Sequence, residues 1–420
     1  MRRSLLTGCV SLLLWLTGPA VYGGGAVEPG PQATPFADRF PGLSWEQVLD
    51  EARGSDVYWY MWGGSETVNT FVQEYVADRL AAEYGIRLQM VPVTDASVYV
   101  SKVLGERQAG RNRGGSVDLV WINGENFRSM RQAGLLFGPY ADRLPNIGFV
   151  NTDDPAVAYD FGFPVDGYES PYGSAQMVMV YDQERVRRPP GSIDELLDWI
   201  RAHPGRFAYP APPDFTGSAF VRHLFYHAAG GYGPLLGEFD TDLFDAVAPQ
   251  AWDLMNHIEP YLWRGGRTYP ETVTQLHALF ANNEVDFSMS YNPAEAANLI
   301  AQGRYPASAR TFVFDTGTIG NTHYVAIPFN ASHKAAALVT ANLLLDPATQ
   351  LRKAQPDVWG DMPVVDLNRL PSDWRSRFEA IPRPPAVLPP GLLQAHRIPE
   401  LQSTWLTAIE RGWIRNVLER

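Results

Sequence analysis

Asp56 to Val93 reads DVYWYMWGGSETVNTFVQEYVADRLAAEYGIRLQMVPV, and the fold class follows from how its parts alternate. Asp56 to Trp62 is crowded with aromatic residues, which suit a strand, and Gly63-Gly64-Ser65 ends it. Val68, Phe71, Val72, Tyr75, Val76 and Leu80 then recur every three or four residues, which sets them on one face of a helix. Gly85 stops that helix, and Ile86 to Val93 is a second strand. Strand, helix and strand joined by tight turns form a βαβ unit, which implies parallel strands.

Outward from this unit the alternation continues. Val98 to Ala109 is predicted helical, Val117 to Ile122 is a strand, and Phe127 to Leu136 is a helix opening after Asn123-Gly124-Glu125-Asn126. Ser192-Ile193-Asp194-Glu195 is a capping box that starts a helix with Ile193, Leu196, Leu197 and Ile200 on one face. A strand is expected at Arg206 to Pro210, then a helix beginning near Thr216-Gly217-Ser218, with further strands at Val285 to Tyr291 and His323 to Pro328. The last quarter reads as mostly helical, broken by the proline-rich Ile381 to Pro390. The fold class is α/β, and 420 residues exceed what one core usually holds, so two lobes are expected.

Net charge is −12 with no basic stripe, which disfavours nucleic acid as a partner. At the N-terminus, Arg2 and Arg3 precede a short apolar run from Val10 to Leu16, and small residues follow from Gly18 to Ala26. That is the layout of a secretory signal peptide over residues 1–25, followed by a linker over 26–35; a short retained anchor is the alternative. The only cysteine is Cys9. Leu6-Thr7-Gly8-Cys9 spells a lipoprotein-type cleavage sequence, but the apolar run follows it instead of preceding it. Cleavage between about Ala20 and Ala26 leaves a mature chain with no cysteine, hence no disulfide, thiol nucleophile or thiolate metal site. Such a chain suits a bacterial periplasm.

Phosphate-loop, GxGxxG, GxSxG and HExxH patterns are all missing. His223 and His227 are four residues apart on a predicted helix, but AFVRHLFYHAA around them reads as packed core, so no metal and no cofactor are expected.

Four segments leave strands and enter helices, where open α/β sheets bind ligands. Trp62, Gly64 and Ser65 close the first strand; Asn123, Glu125 and Asn126 follow the strand VDLVWI. Thr216 and Ser218 follow the stiff lead-in YPAPPDF, and Tyr291 and Asn292 end SMSYNP. Trp62, Tyr172 and Tyr291 stand at strand ends beside polar residues, placed to stack on a planar or cationic solute. Helix capping and core packing account for some of these positions without any ligand.

WINGENFRSMRQAGLL, YPAPPDFTGSAF, DFSMSYNPAEAAN and DTGTIGNTHYVAIP together resemble a group of bacterial ABC-transporter periplasmic components within the family 1 extracellular solute-binding proteins. Relatives of that group bind thiamine, polyamines and ferric iron. The resemblance runs from about Trp45 to the C-terminus and implies two α/β lobes with a ligand cleft between them, the type II arrangement. It implies no catalysis, a permease in the inner membrane as partner, and a monomer. Lobe 1 is expected at 36–172 plus 312–345, and lobe 2 at 173–311 plus 346–420. The crossings are expected at SAQMVMVYD after Tyr172 and at Arg310 to Asp315. Ferric-binding members use adjacent tyrosines, and no Tyr-Tyr step occurs here, so a thiamine- or polyamine-like cation held by aromatics, Glu125 and Glu66 is the expected cargo. A secreted hydrolase acting on a saccharide-like substrate is the alternative, and a sensor on the same fold is a third reading.

Overall fold

In the computed structural model, which describes residues 34–420, two sheets each carry their own apolar core. The first sheet is built on β1 (Asp56–Trp62), with β2 (Arg87–Val93) and β3 (Leu119–Ile122) parallel on either side. Alternation along β1 explains its seat: Val57, Trp59 and Met61 are buried, whereas Tyr58 and Trp62 are exposed. The connecting helical stretch from Glu66 to Tyr84, with two wider segments of π-helix, buries Val68, Phe71, Val72, Val76 and Leu80 as the spacing predicts. Tyr75 on the same face is only partly covered.

β4 (Leu136–Phe137) follows, then a hairpin of β5 (Tyr159–Asp160) and β6 (Phe163–Pro164). β7 (Glu169–Gln176) lies in the first sheet, and β8 (Val178–Asp182) lies in the second. β9 (Phe287–Ser290) and β10 (Ala309–Phe312) flank β8 antiparallel, and β11 (Thr318–Pro328) returns to the first sheet. There β11 runs antiparallel to β3, β4 and β7 and parallel to β12 (Arg397–Ile398).

The chain therefore passes between the sheets at Met177 and again between Phe312 and Thr318, and a third passage beyond Phe378 takes it from the first core to the second. Trp59, Phe71, Leu338 and Leu343 belong to the first core. Phe207, Phe220, Met289, Trp405 and Trp413 belong to the second. This is the two-lobed α/β arrangement of periplasmic binding proteins.

Several expectations are corrected. Asp346 to Phe378 does not pack in the second core: Trp359, Val365, Leu370 and Phe378 lie in the first. The C-terminal return comes later, where Ala386, Trp405 and Ile409 enter the second core. Phe312 ends a strand of the second sheet, so it does not open the first lobe's return. Phe161, at the tip of the β5–β6 hairpin, packs in the second core although its neighbours in sequence lie in the first lobe. Arg206 to Pro210 is buried but forms no ladder; its backbone groups bond singly to Trp263 and Asp286. The helix after β3 runs Gly124–Gln132, starting inside the polar motif and ending before Leu136, which forms β4 instead. Ser192 caps its helix through Glu195 N–H, while the Glu195 carboxylate reaches back to Gly191 N–H. The signal peptide, Cys9 and most of the linker lie outside the described residues.

Candidate functional site

A cleft of about 490 Å³ lies between the lobes, within the usual range for small-molecule sites. Its first wall begins where β1 ends. Trp62 is 39% exposed and its indole lies across Gly64, where a Cβ would run into the ring. Ser65 bonds Thr67 (2.9 Å) and does not cap the helix that follows.

The motif after β3 forms the next part. Gly124 adopts a left-handed backbone (φ 61°) against the Phe161 ring, a position that excludes a side chain. Its N–H donates to Asp160 (2.5 Å), and Asn123 Nδ2 donates to Thr322 O (2.7 Å), so Asn123 braces the turn. Glu125 and Asn126 line the cleft, with Asn126 Nδ2 donating to Glu125 Oε1 (2.9 Å). Burial raises the Glu125 pKa above the ordinary carboxylate range.

The second wall comes from the helix Phe215–Ala228. Asp214 caps it by accepting from Thr216 and Gly217 N–H, while its other oxygen accepts from Val273 N–H. Thr216 is therefore a helix-start residue at the cleft and not the cap. One turn on, Ser218 donates to Glu410 (2.6 Å) and accepts from Arg222 (2.7 Å). Arg222 is fully buried and holds Glu400 through two hydrogen bonds of 2.8 and 2.9 Å. Burial alone works against the charge on Arg222, but the Glu400 carboxylate outweighs it and raises the pKa. Tyr291 donates to the same Glu400 oxygen (2.8 Å) and packs on Phe215, with centroids 4.8 Å apart. Phe215 itself is 43% exposed.

Asn292 is used internally: its amide donates to Trp359 O (2.9 Å) and its carbonyl oxygen accepts from Ala294 N–H (2.9 Å). Trp359 belongs to the first core, so Asn292 ties the second lobe to the first behind the cleft. Here the floor is a buried triad. Lys353 bonds Asp361 (2.8 Å) and the carbonyl of Tyr172, with His323 on the other Asp361 oxygen (3.2 Å). Burial opposes the Asp361 charge, but Lys353 and His323 prevail and hold its pKa below the usual value.

Ten of the eleven residues expected at the site line this one cleft: Trp62, Gly64, Ser65, Asn123, Glu125, Asn126, Thr216, Ser218, Tyr291 and Asn292. Tyr172 does not. Its ring is fully buried beneath Trp121 and His323, packed edge-on against Trp59 and Trp121. It supports the floor from behind, because its ring points into the first core and not toward the cleft. Sequence reasoning missed Glu410, Arg222, Glu400, Phe215 and Asn321; Asn321 lines the cleft from β11 with Oδ1 buried and without a partner. An unpaired Ser-x-x-x-Arg on an apolar helix was the available signal for the first three.

His223 and His227 diverge. Ile319 N–H donates to His223 Nε2 (3.1 Å), which fixes the proton on Nδ1 toward Ala219 O, and burial pushes its pKa down to about 4. His227 meets Asp194 (3.3 Å). Among the described residues, no group of His, Cys, Asp and Glu is arranged to hold a metal ion, and no helix is long and apolar enough to cross a membrane.

Two lobes, three passages between them and one polar, aromatic cleft define a solute-binding protein. The chain belongs to the family of bacterial extracellular solute-binding proteins, whose model matches residues 75–376. It is 39% identical over 370 residues to Protein YnjB of Escherichia coli strain K12, covering 88% of this chain and 93% of that one. A putative spermidine/putrescine ABC transporter structure from Listeria monocytogenes matches with TM-score 0.61 and 14% identity, covering 87% and 99% of the two chains. A periplasmic thiamin binding protein matches with TM-score 0.54 and 20% identity, covering 86% and 96%. A family of binding proteins works by capture, so the chain is not an enzyme, and the hydrolase reading falls away.

Proposed function

We propose that this protein is the exported receptor of an ABC importer and closes its lobes over a small cationic solute. The observation that carries the charge preference is the balance of the cleft lining. Eight carboxylates line it, of which Asp361 is paired with Lys353, against two arginines, of which Arg222 is already neutralised by Glu400. The other, Arg304, is exposed to solvent. His277 adds no charge at neutral pH, since burial pushes its pKa down to about 4. Trp62 from one lobe and Phe215 from the other add exposed aromatic faces, which attract cations through their ring quadrupoles.

In this reading the leader is cleaved between about Ala20 and Ala26, the protein acts as a periplasmic monomer, and the closed form docks on a permease. An intact mass of the exported protein that retains Cys9 would contradict the cleavage. The charge preference is tested by thermal unfolding against matched panels of amines, quaternary cations, sugar phosphates and neutral sugars. A true solute at a hundred times its Kd stabilises the folded state by about 2.7 kcal/mol. Stabilisation confined to the anionic or neutral panels would sink the reading.

A further inference from the structure

Glu125 and Glu410 reach the same cleft from opposite lobes. Glu125 stands in the first turn of helix Gly124–Gln132, whose Phe127 and Met130 pack against the first sheet. Glu410 stands on the C-terminal helix Ser403–Trp413, whose Ile409 and Trp413 are in the second core. The two helices touch, with Arg128 donating to Ser403 at 3.5 Å. Asn321 belongs to β11, just beyond a passage between the lobes, and its buried carbonyl oxygen lines the cleft unpartnered; the residue is 8% exposed.

All three groups offer acceptors and one negative charge from each lobe. Glu410 accepts a single hydrogen bond, from Ser218, and Arg222 beyond that serine is held by Glu400. Arg222 is the one positive charge acting on both glutamates; the acidic neighbours are Asp95 from the end of β2 and Glu400 ahead of the C-terminal helix, while Asp160 of the β5–β6 hairpin is a buried carboxyl whose pKa burial raises. The neutral polar neighbours are Asn126, which donates to Glu125, Ser218, which donates to Glu410, and the cleft-lining Tyr99 and Tyr291. Two carboxylates brought together by lobe closure repel unless something positive stands between them. A primary ammonium carries three N–H donors and a positive charge, which is the complement of two carboxylates and an amide oxygen.

We propose that Glu125, Glu410 and Asn321 form an ammonium subsite shared between the lobes, in which a proton on Glu410 stands in for the ligand until the ligand displaces it. This rests on the cationic reading above and adds the group recognised and the ion exchanged. Burial outweighs the Ser218 hydrogen bond and the Arg222 charge and, with the negative charges of Glu125 and Asp95 added, pushes Glu410 up to about 7, so near neutrality the empty protein carries the proton much of the time. An alkylammonium keeps its own proton well above that pH. Ligand binding then releases up to one proton, and affinity climbs by up to about tenfold per pH unit between about pH 5 and pH 7.

Two measurements on the full mature chain decide it. Without ligand, urea unfolding from pH 5 to pH 8 reads the bound proton directly. A carboxyl whose folded pKa is raised loses stability as pH rises through that window, and Glu410→Gln flattens the slope; an unchanged slope overturns the proposal. With ligand, calorimetry of putrescine, spermidine and thiamine in phosphate and Tris at pH 6.5 reads proton release. The expected result is that at least one binds with release of a substantial fraction of a proton, that Glu410→Gln releases none, and that Asn321→Leu weakens binding by about tenfold with the release unchanged. Binding without proton release overturns the subsite and leaves the cationic reading standing. Failure of all three cations, alongside binding of a sugar phosphate, overturns both.

Discussion

Arg222 and Glu400 hold each other in the interior, and neither has water to fall back on. Removing one partner of such a pair leaves the other charged and buried, which costs about 3–5 kcal/mol. Arg222→Met should therefore lower the urea midpoint at pH 7 sharply, and Glu400→Gln added to it should recover most of the loss. A single variant as stable as wild type would show that the pair is not closed in solution. The sequence offers Arg222 as a charge on an apolar helix but not its partner, since the two lie 178 residues apart and Glu400 sits in a segment otherwise explained by packing. Trp62 and Glu125 were legible because a strand end followed by a polar or glycine turn has one physical location in an open sheet. Tyr172 fits the same rule in sequence yet lies under Trp121, because facing direction along a strand depends on which neighbours cover it.

At the level of elements, β7 carries Glu169 fully buried with both carboxylate oxygens unpartnered, and Asp160 of β5 is buried nearby. Burial raises both pKa values well above the ordinary range. The unfolded chain loses these protons at about pH 4, whereas the folded chain retains them, so their contribution makes stability fall as pH climbs above that point. Glu169→Gln keeps the shape and removes the titrating group; it should stabilise the protein, and more at pH 8 than at pH 5, in paired urea titrations. An effect equal at both pH values would mean that the side chain reaches water. Periodicity located the helical stretch after β1 and the parallel pairing of β1 with β2, where local pattern and tertiary burial agree. It misplaced Arg206 to Pro210, because an apolar, proline-rich extended segment looks like a strand whether or not a neighbour offers a ladder.

For the molecule as a whole, the three passages between the lobes permit one lobe to rotate against the other without new folding. Asn292 and Asn298, both bonded to the Trp359 carbonyl, tie the lobes at the back, while Trp62 and Phe215 stand on opposite walls of the cleft. Small-angle scattering should give a smaller radius of gyration with bound solute than without; an unchanged radius under demonstrated saturation would argue against closure. The third passage, beyond Phe378, was hidden in the sequence because Asp346 to Phe378 carries apolar residues that suit either core. The central claim is that the cleft holds a small cation. It is tested most directly by isolating the protein from its native periplasm without denaturation and identifying, by mass spectrometry, the small molecule released on unfolding. The account predicts a nitrogenous cation, with ammonium or ring nitrogen, bound one to one. A sugar phosphate or another anion released in the same proportion would contradict it.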